Sequence, residues 1–334
     1  MSRERIVSGI QPTGELHIGN YFGAVVNWLA LQEEYECIYF IADYHAITVD
    51  HDPELLRRRT LDLAATLLAC GIDPERAIFF AQSHVPEHTE LAWILNCLAS
   101  FGDLTRMTQF KDRSKREEFV SVGLFDYPVL QAADVLIYHG QKVPVGRDQV
   151  QHIELMRRIA RRFNSRFGEY FPEPEPLLSE AASIKSLANP EKEMSKSLGP
   201  KHYIGLMEPE DMIWEKIKTA VTDIGPRGEE MSPGVENLFL LLRLSAPQEV
   251  YEQFKAEYDR GTLKYEPLKQ ALFEHLMETL HPIRERRKKL SESDAKAVLK
   301  EGAEKASKIA RATLKEVKRR IGVGACQRIT SVPT

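Results

Sequence analysis

The chain has 334 residues, too many for one small domain and suited to a large α/β unit followed by a helical one. With 43% hydrophobic and 28% charged residues it has the make-up of an ordinary soluble enzyme, and no apolar run approaches the ~20 residues of a membrane span. The net charge of −4 conceals a basic stretch, because residues 281–320 hold 14 Lys/Arg against 6 Asp/Glu. Such a stretch is either a solvated helix face or the contact for a polyanionic partner.

Met1-Ser2-Arg3-Glu4-Arg5 runs straight into an apolar segment without an h-region or cleavage site, so a cytoplasmic location is expected. Ile6-Val7-Ser8-Gly9 reads as a strand ending in the turn Gln11-Pro12-Thr13-Gly14. Ile18, Tyr21, Phe22, Val25, Val26 and Leu29 then recur at helical steps. The continuous apolar run Cys37–Ala42 suits a strand buried on both faces. Asp52-Pro53 supplies an N-cap and first position for a helix that Gly71 closes.

Ala77–Ala81 repeats the strand pattern, and Pro86–Ser100 the helix pattern with Gly102 as its stop. Alternation of this kind predicts an α/β fold with a doubly wound parallel sheet, whose ligands bind beyond the carboxyl ends of the strands. Residues from Asp103 to Tyr127 are polar and irregular and read as an insertion between the halves of the sheet. Val129–Tyr138 reads as helix, Lys142–Val145 as a short strand and Asp148–Phe163 as a basic helix. Six prolines and glycines make residues 172–202 loop-rich, and everything beyond 208 reads helical, with Gly302 separating Ser293–Lys300 from Ala303–Arg320. Cys37, Cys70, Cys97 and Cys326 stand singly, so no transition-metal or iron–sulfur ligation is expected.

Two segments carry the chemistry. His17-Ile18-Gly19-Asn20 opens a helix after a strand and a turn, where unpaired amides and the positive dipole end favour an anion and His17 and Asn20 add neutral donors. Taken alone it is equally an ordinary helix start. Met194-Ser195-Lys196-Ser197 places two hydroxyls and an ammonium in a proline-flanked loop that can close on a triphosphate, or is a plain surface loop. Asp134 is a third signal, one acid inside the apolar run Ala132–Ile137. A buried carboxylate needs a donor, and a ligand N–H or a structural partner would serve.

His17–Asn20 resembles the H-I-G-H signature of class I aminoacyl-tRNA synthetases, and Glu193–Ser197 resembles their K-M-S-K-S loop. The segments Ser8–Gly14, Asp43–Thr48, Arg106–Lys111, Tyr127-Pro128 with Ala132–Asp134, Val143–Gln149 and Gly302–Ala306 are similar to the bacterial tryptophanyl-tRNA synthetase family over essentially the whole chain. The resemblance implies a Rossmann-like catalytic domain over 1–205, with an insertion around 103–130, and a helical domain over 206–334 that binds the tRNA anticodon through the basic stretch from Arg284 to Arg320. It implies L-tryptophan, ATP with Mg2+ and tRNA(Trp) as substrates, a homodimer, and no membrane partner.

Position by position, Gln11, Pro12, Thr13, Gly19 and Asn20 match residues that contact ATP. Gly146, Arg147 and Asp148 match those holding ribose and adenine, with Ile184 beside the base. Met194, Ser195, Lys196 and Ser197 match the loop on the phosphates, and Lys196, His17, Asn20, Gln11 and Arg113 are the implied catalytic set. Asp134 matches the acceptor of the indole N–H. Tyr127, Gln149 and Gln11 match residues around the ammonium and carboxylate, Val143 and Val145 the indole walls, and His45 lies nearby.

Some positions depart from the family. Glu193 replaces the first lysine of the loop, so it belongs to the ATP-binding segment without an implied side-chain contact, and Lys196 is expected to carry more of the work. Arg113 stands for a lysine. Gln131 stands where many relatives have a pocket methionine, and Val7 where many have an aromatic. Glutamine also occurs at the first of these in tyrosine-specific relatives. A tyrosine enzyme is opposed by Asp43–Thr48 and Val143–Gly146, and a catalytically weak paralogue that binds nucleotide or RNA as a regulator has Glu193 as its sole support.

Overall fold

The computed structural model describes residues 3–113, 119–146, 149–178, 183–222 and 231–324. Five strands, β1 (Arg5–Ile10), β2 (Glu36–Ile41), β3 (Ala77–Ala81), β4 (Lys142–Val145) and β5 (Glu175–Leu178), form one parallel sheet in the order β3-β2-β1-β4-β5. The winding reverses between β1 and β4, and a crevice opens at their carboxyl ends. Successive residues of the central strands face opposite sides. Ile6, Tyr39 and Phe79 enter one apolar layer, and Val7, Ile38, Phe40 and Phe80 the other. That two-sided burial is why β2 reads as an unbroken apolar run.

The chain passes from β1 through the turn at Pro12–Gly14 into Ile18–Asn20, then a wide π turn at Tyr21–Val25, then α1 (Val26–Glu34). Helix α2 (Pro53–Cys70) starts as its sequence predicts: Asp52 Oδ1 accepts from Leu55 N at 2.6 Å, and Gly71 closes it at φ 122°. Helix α3 (Glu87–Asn96) ends earlier than expected. Gly102, expected to stop it, instead lies inside a second short helix, Phe101–Leu104. The insertion is also less irregular than its polarity implies, since Thr108–Arg113 is helical and α4 (Val122–Leu136) begins before Tyr127. Helix α5 (Val150–Phe167) follows β4. Strand β5 was hidden by Pro176, which an edge strand tolerates.

The C-terminal half is helical: α6 (Glu210–Lys218), α7 (Pro233–Ser245), α8 (Gln248–Asp259), α9 (Tyr265–Lys289) and α10 (Glu292–Ile321). Gly302 does not break the last segment, as α10 is continuous. A Cβ at Gly302 would lie 1.8 Å from the Phe79 carbonyl oxygen, so the glycine lets α10 lie directly on the backbone of β3. Ala295 and Leu299 reach the layer on one face of the sheet, and Ala303, Ala306 and Leu314 the layer on the other. The helix thereby covers an edge strand that would otherwise be open to pairing.

Much of the basic stretch is spent in the same way. Arg284 Nε donates to the Leu206 carbonyl at 2.8 Å and Arg286 Nε to that of Ala69 at 2.6 Å. Arg287 pairs with Asp62, Arg311 with Glu87 and Lys318 with Glu90. These cations fasten the terminal helices to the sheet domain.

Candidate active site

A cavity of about 390 Å³ opens at the β1/β4 crevice. Gln11 follows β1 and Gly146 follows β4, so both reach it from strand ends. Val143 and Val145 of β4 and Val7 of β1 line it, and so do Tyr127, Gln131 and Asp134 of α4, with His45 and Gln149 completing the wall. All the residues expected to hold the amino acid are thus brought together. Arg147 and Asp148 lie outside the described residues, as does the Arg113 side chain.

Asp134 is 1% exposed. Its Oδ1 accepts from Gln82 Nε2 at 2.7 Å and from His88 Nδ1 at 2.6 Å, and its Oδ2 accepts from His45 Nε2 at 2.8 Å. Burial alone would drive its pKa up. The hydrogen bonds from His45 and His88 outweigh that and bring it down to about 2, so the carboxylate is ionised. Both sequence alternatives for Asp134 therefore coexist: it has structural partners and it faces a ligand cavity. Tyr127 is held from behind, its hydroxyl 2.9 Å from His152 Nε2.

The phosphate end is built differently. His17 caps the short helix: Asn20 N donates to its Nδ1 at 3.3 Å, while His17 N donates to Asn20 Oδ1 at 3.3 Å. Burial, then the nearby Lys196 ammonium, lowers the His17 pKa to about 4. The ring is neutral at pH 7, and because Nδ1 accepts, Nε2 carries the proton and can donate to a phosphate oxygen. The helix-start amides are less available than the sequence implies, because Ile18 N is taken by the Ile204 carbonyl and Asn20 N by that of His17. Side chains thus replace backbone in this jaw. Pro12 is buried beneath the turn, and Thr13 is exposed at its tip.

Across from it, Lys196 Nζ donates to the Glu15 carbonyl at 2.8 Å and stands 3.3 Å from where a Cβ on Gly14 would be. Gly14 has φ 132°, which favours glycine, and a side chain there would crowd the ammonium. Burial and Arg59 push the Lys196 pKa down. Ser195 Oγ accepts from Ser197 N at 3.4 Å and lies 2.9 Å from Ser197 Oγ, which shapes a single 3-10 turn.

Glu193 points elsewhere. Ser183 Oγ donates to its Oε1 at 2.6 Å and itself accepts from Lys185 Nζ at 3.0 Å. Lys185 and Glu193 form an antiparallel bridge, and Met194 N donates to the Ile184 carbonyl at 2.9 Å. The reversed charge is therefore hydrogen-bonded inside the loop's own hairpin, with Lys185 one hydroxyl away. Ile184 and Met194 are both buried there.

A family model of tRNA synthetases class I (W and Y) matches residues 2–281. The chain belongs to this family. A tryptophan–tRNA ligase of Caldanaerobacter subterraneus subsp. tengcongensis is 46% identical over 325 residues, covering 96% of this chain and 98% of its own. The tryptophanyl-tRNA synthetase of Mycoplasma pneumoniae has a TM-score of 0.88 at 34% identity over 97% of this chain and 99% of that one. That of Campylobacter jejuni, solved with ADP and tryptophan, has a TM-score of 0.84 at 36% identity over 96% of this chain and 100% of that one.

Several residues around the site of this class I synthetase are not legible from the sequence. Asn237 of α7 accepts from Lys185 N at 2.8 Å and donates to the Lys185 carbonyl at 3.0 Å, so a helix of the C-terminal half grips the hairpin that carries the loop. Arg59 adds a cation beside Lys196. His88 and Tyr138 stand behind Asp134. None belongs to a local pattern, and each is placed by packing between distant segments.

Proposed function

We propose that this chain is a tryptophan–tRNA ligase, which joins L-tryptophan to AMP with loss of pyrophosphate and then transfers the aminoacyl group to tRNA(Trp). The carrying observation is the ionised, deeply buried Asp134 in the wall of the cavity between β1 and β4. A fixed acceptor among Val7, Phe40, Val143 and Val145 suits a flat apolar ring bearing one N–H. The amino acid's polar end then lies toward Tyr127, Gln149 and Gln11, with its carboxylate toward the phosphate jaws. Relatives at 46% identity bear the same name.

In the first step a carboxylate oxygen attacks the α-phosphorus in line, and the bond to the bridging oxygen breaks as pyrophosphate leaves. His17 Nε2–H and Lys196 stabilise the charge that shifts onto the leaving oxygens, and no covalent enzyme intermediate is required. Lys196 must exchange the Glu15 carbonyl for a phosphate oxygen, which makes its carbonyl contact a resting position. Among the described residues no cluster of His, Cys, Asp or Glu is arranged to hold a metal ion. Magnesium, in this reading, enters as part of the Mg·ATP substrate. In the second step the 2′-hydroxyl of the terminal ribose attacks the carbonyl of the aminoacyl-adenylate, and the anhydride bond breaks to release AMP.

The protein acts as a cytoplasmic homodimer in this reading. Trp93, Phe101 and Val122 are 72–80% exposed around the packing of α3 on α4, an apolar surface that a second copy would cover. For tRNA, the exposed Lys300, Lys308 and Lys315 of α10 are better placed than the fastened arginines to meet phosphates. ATP–pyrophosphate exchange with tryptophan and with tyrosine tests the assignment. Exchange with tryptophan alone is expected, exchange with tyrosine alone would transfer the assignment to the other amino acid of the family, and exchange with neither would leave a binding protein.

A further inference from the structure

His88 does not line the cavity, yet it touches the residue on which selectivity turns. It is fully buried, and its ring is packed by Phe40, Phe80 and Tyr138 at centroid distances of 5.9, 5.9 and 5.3 Å. Its Nδ1 is 2.6 Å from Asp134 Oδ1 and its Nε2 is 2.6 Å from the Tyr138 hydroxyl. A carboxylate only accepts, so Nδ1 carries a proton. In the neutral ring Nε2 then accepts, and the Tyr138 hydroxyl is its donor. Burial and the nearby carboxylates hold the Tyr138 pKa well above its usual value, so the phenol keeps the proton it donates.

We propose that His88, fixed in one tautomer by Tyr138, is the positioning residue that sets selectivity for an N–H-bearing side chain by holding Asp134 in register with the cavity. The assignment rests on the cavity being the tryptophan site. A carboxylate offers about four lone-pair sites. Gln82 and His88 fill both on Oδ1, and His45 fills one on Oδ2. One acceptor site on Oδ2 is left for a ligand. The cavity therefore presents a single acceptor of set direction. Without the His88 contact Oδ1 loses a partner, and the carboxylate is free to rotate toward a second lone pair or to take up a proton and become a donor. Either change removes the advantage of a ring N–H. Gln82 is itself oriented, its Oε1 accepting from Tyr44 N at 3.2 Å, so it cannot replace both contacts.

The test is ATP–pyrophosphate exchange with L-tryptophan and with the analogue in which sulfur replaces the indole N–H, for the full-length protein and for His88→Leu, His88→Asn and Tyr138→Phe. For the unaltered protein, kcat/KM should strongly favour tryptophan. His88→Leu should lower kcat/KM for tryptophan by about 10- to 100-fold through KM. It should change the analogue less than about 3-fold and leave KM for ATP as it was, so the preference collapses. His88→Asn, whose amide N–H falls near the place of Nδ1–H, should recover most of the preference, with Tyr138→Phe in between. These two variants carry the test if His88→Leu does not fold. Equal losses on both substrates, or Asn no better than Leu, would overturn the role of His88 while leaving the tryptophan assignment intact. An unaltered protein that does not prefer the N–H would overturn both.

Discussion

The two ends of this active site are made from opposite materials. At the end proposed for the indole a carboxylate is 1% exposed and gripped by the side chains of Gln82, His88 and His45. At the end proposed for the phosphates the half-buried Lys196 ammonium rests on one backbone carbonyl. An unpaired buried carboxylate costs several kcal/mol, so the first arrangement persists only with its partners in place. The second costs little to rearrange. In the proposed reading, the fold fixes the acceptor for the amino acid, whereas charge stabilisation requires Lys196 to change partner.

The largest effect should come from breaking the rigid end. Asp134→Asn should lower kcat/KM for tryptophan by about 100- to 1000-fold through KM, with the fold retained. Unchanged exchange kinetics would remove Asp134 from indole recognition. At the mobile end, Lys196→Ala should slow adenylation by about 100-fold at saturating tryptophan. Glu193→Ala should stay within about 3-fold, because its side chain already faces Ser183. The reverse order would show that the loop turns Glu193 toward ATP.

Asn237→Ala probes the support of that loop. Losing both hydrogen bonds to Lys185 should lower kcat by about 10-fold and leave KM for tryptophan unaltered. A change in tryptophan KM alone would mean that the two ends are not separable.

Acidification gives the smallest effect and distinguishes the two ends by pH. His17 has a folded pKa near 4, below its value of 6.5 in the unfolded chain. Its contribution to stability is fully present above 6.5 and is lost as pH falls toward 4. Asp134, also lowered, keeps its contribution above its unfolded value and loses it only as pH falls toward 2. Urea midpoints measured from pH 7 to 4.5 should therefore fall less for His17→Gln than for the unaltered protein, and equal slopes would refute the neutral burial of His17.

How much was legible depends on whether the determinant is local. Asp52-Pro53 and Gly71 bound α2 as expected because caps and glycine conformation act within one turn. Gly302 misled, since a glycine in a helical pattern reads as a break until the strand it touches is known. Pro176 misled likewise, because only the edge position of β5 excuses a missing N–H. The basic C-terminal stretch was correct as composition, but its arginines were already committed to Ala69, Leu206, Asp62 and Glu87.

By itself the sequence carried the reaction class and the amino acid through the family resemblance of His17–Asn20, Met194–Ser197 and the segments between them, because a joint set of local motifs can be matched without knowing the fold. Only the tertiary structure decided that Asp134 is held ionised by distant partners, that the amides of Ile18 and Asn20 are already used, and that Glu193 turns toward Ser183. Each of these depends on which distant groups come within hydrogen-bonding reach, and that distance is set by packing across the sheet rather than by order along the chain.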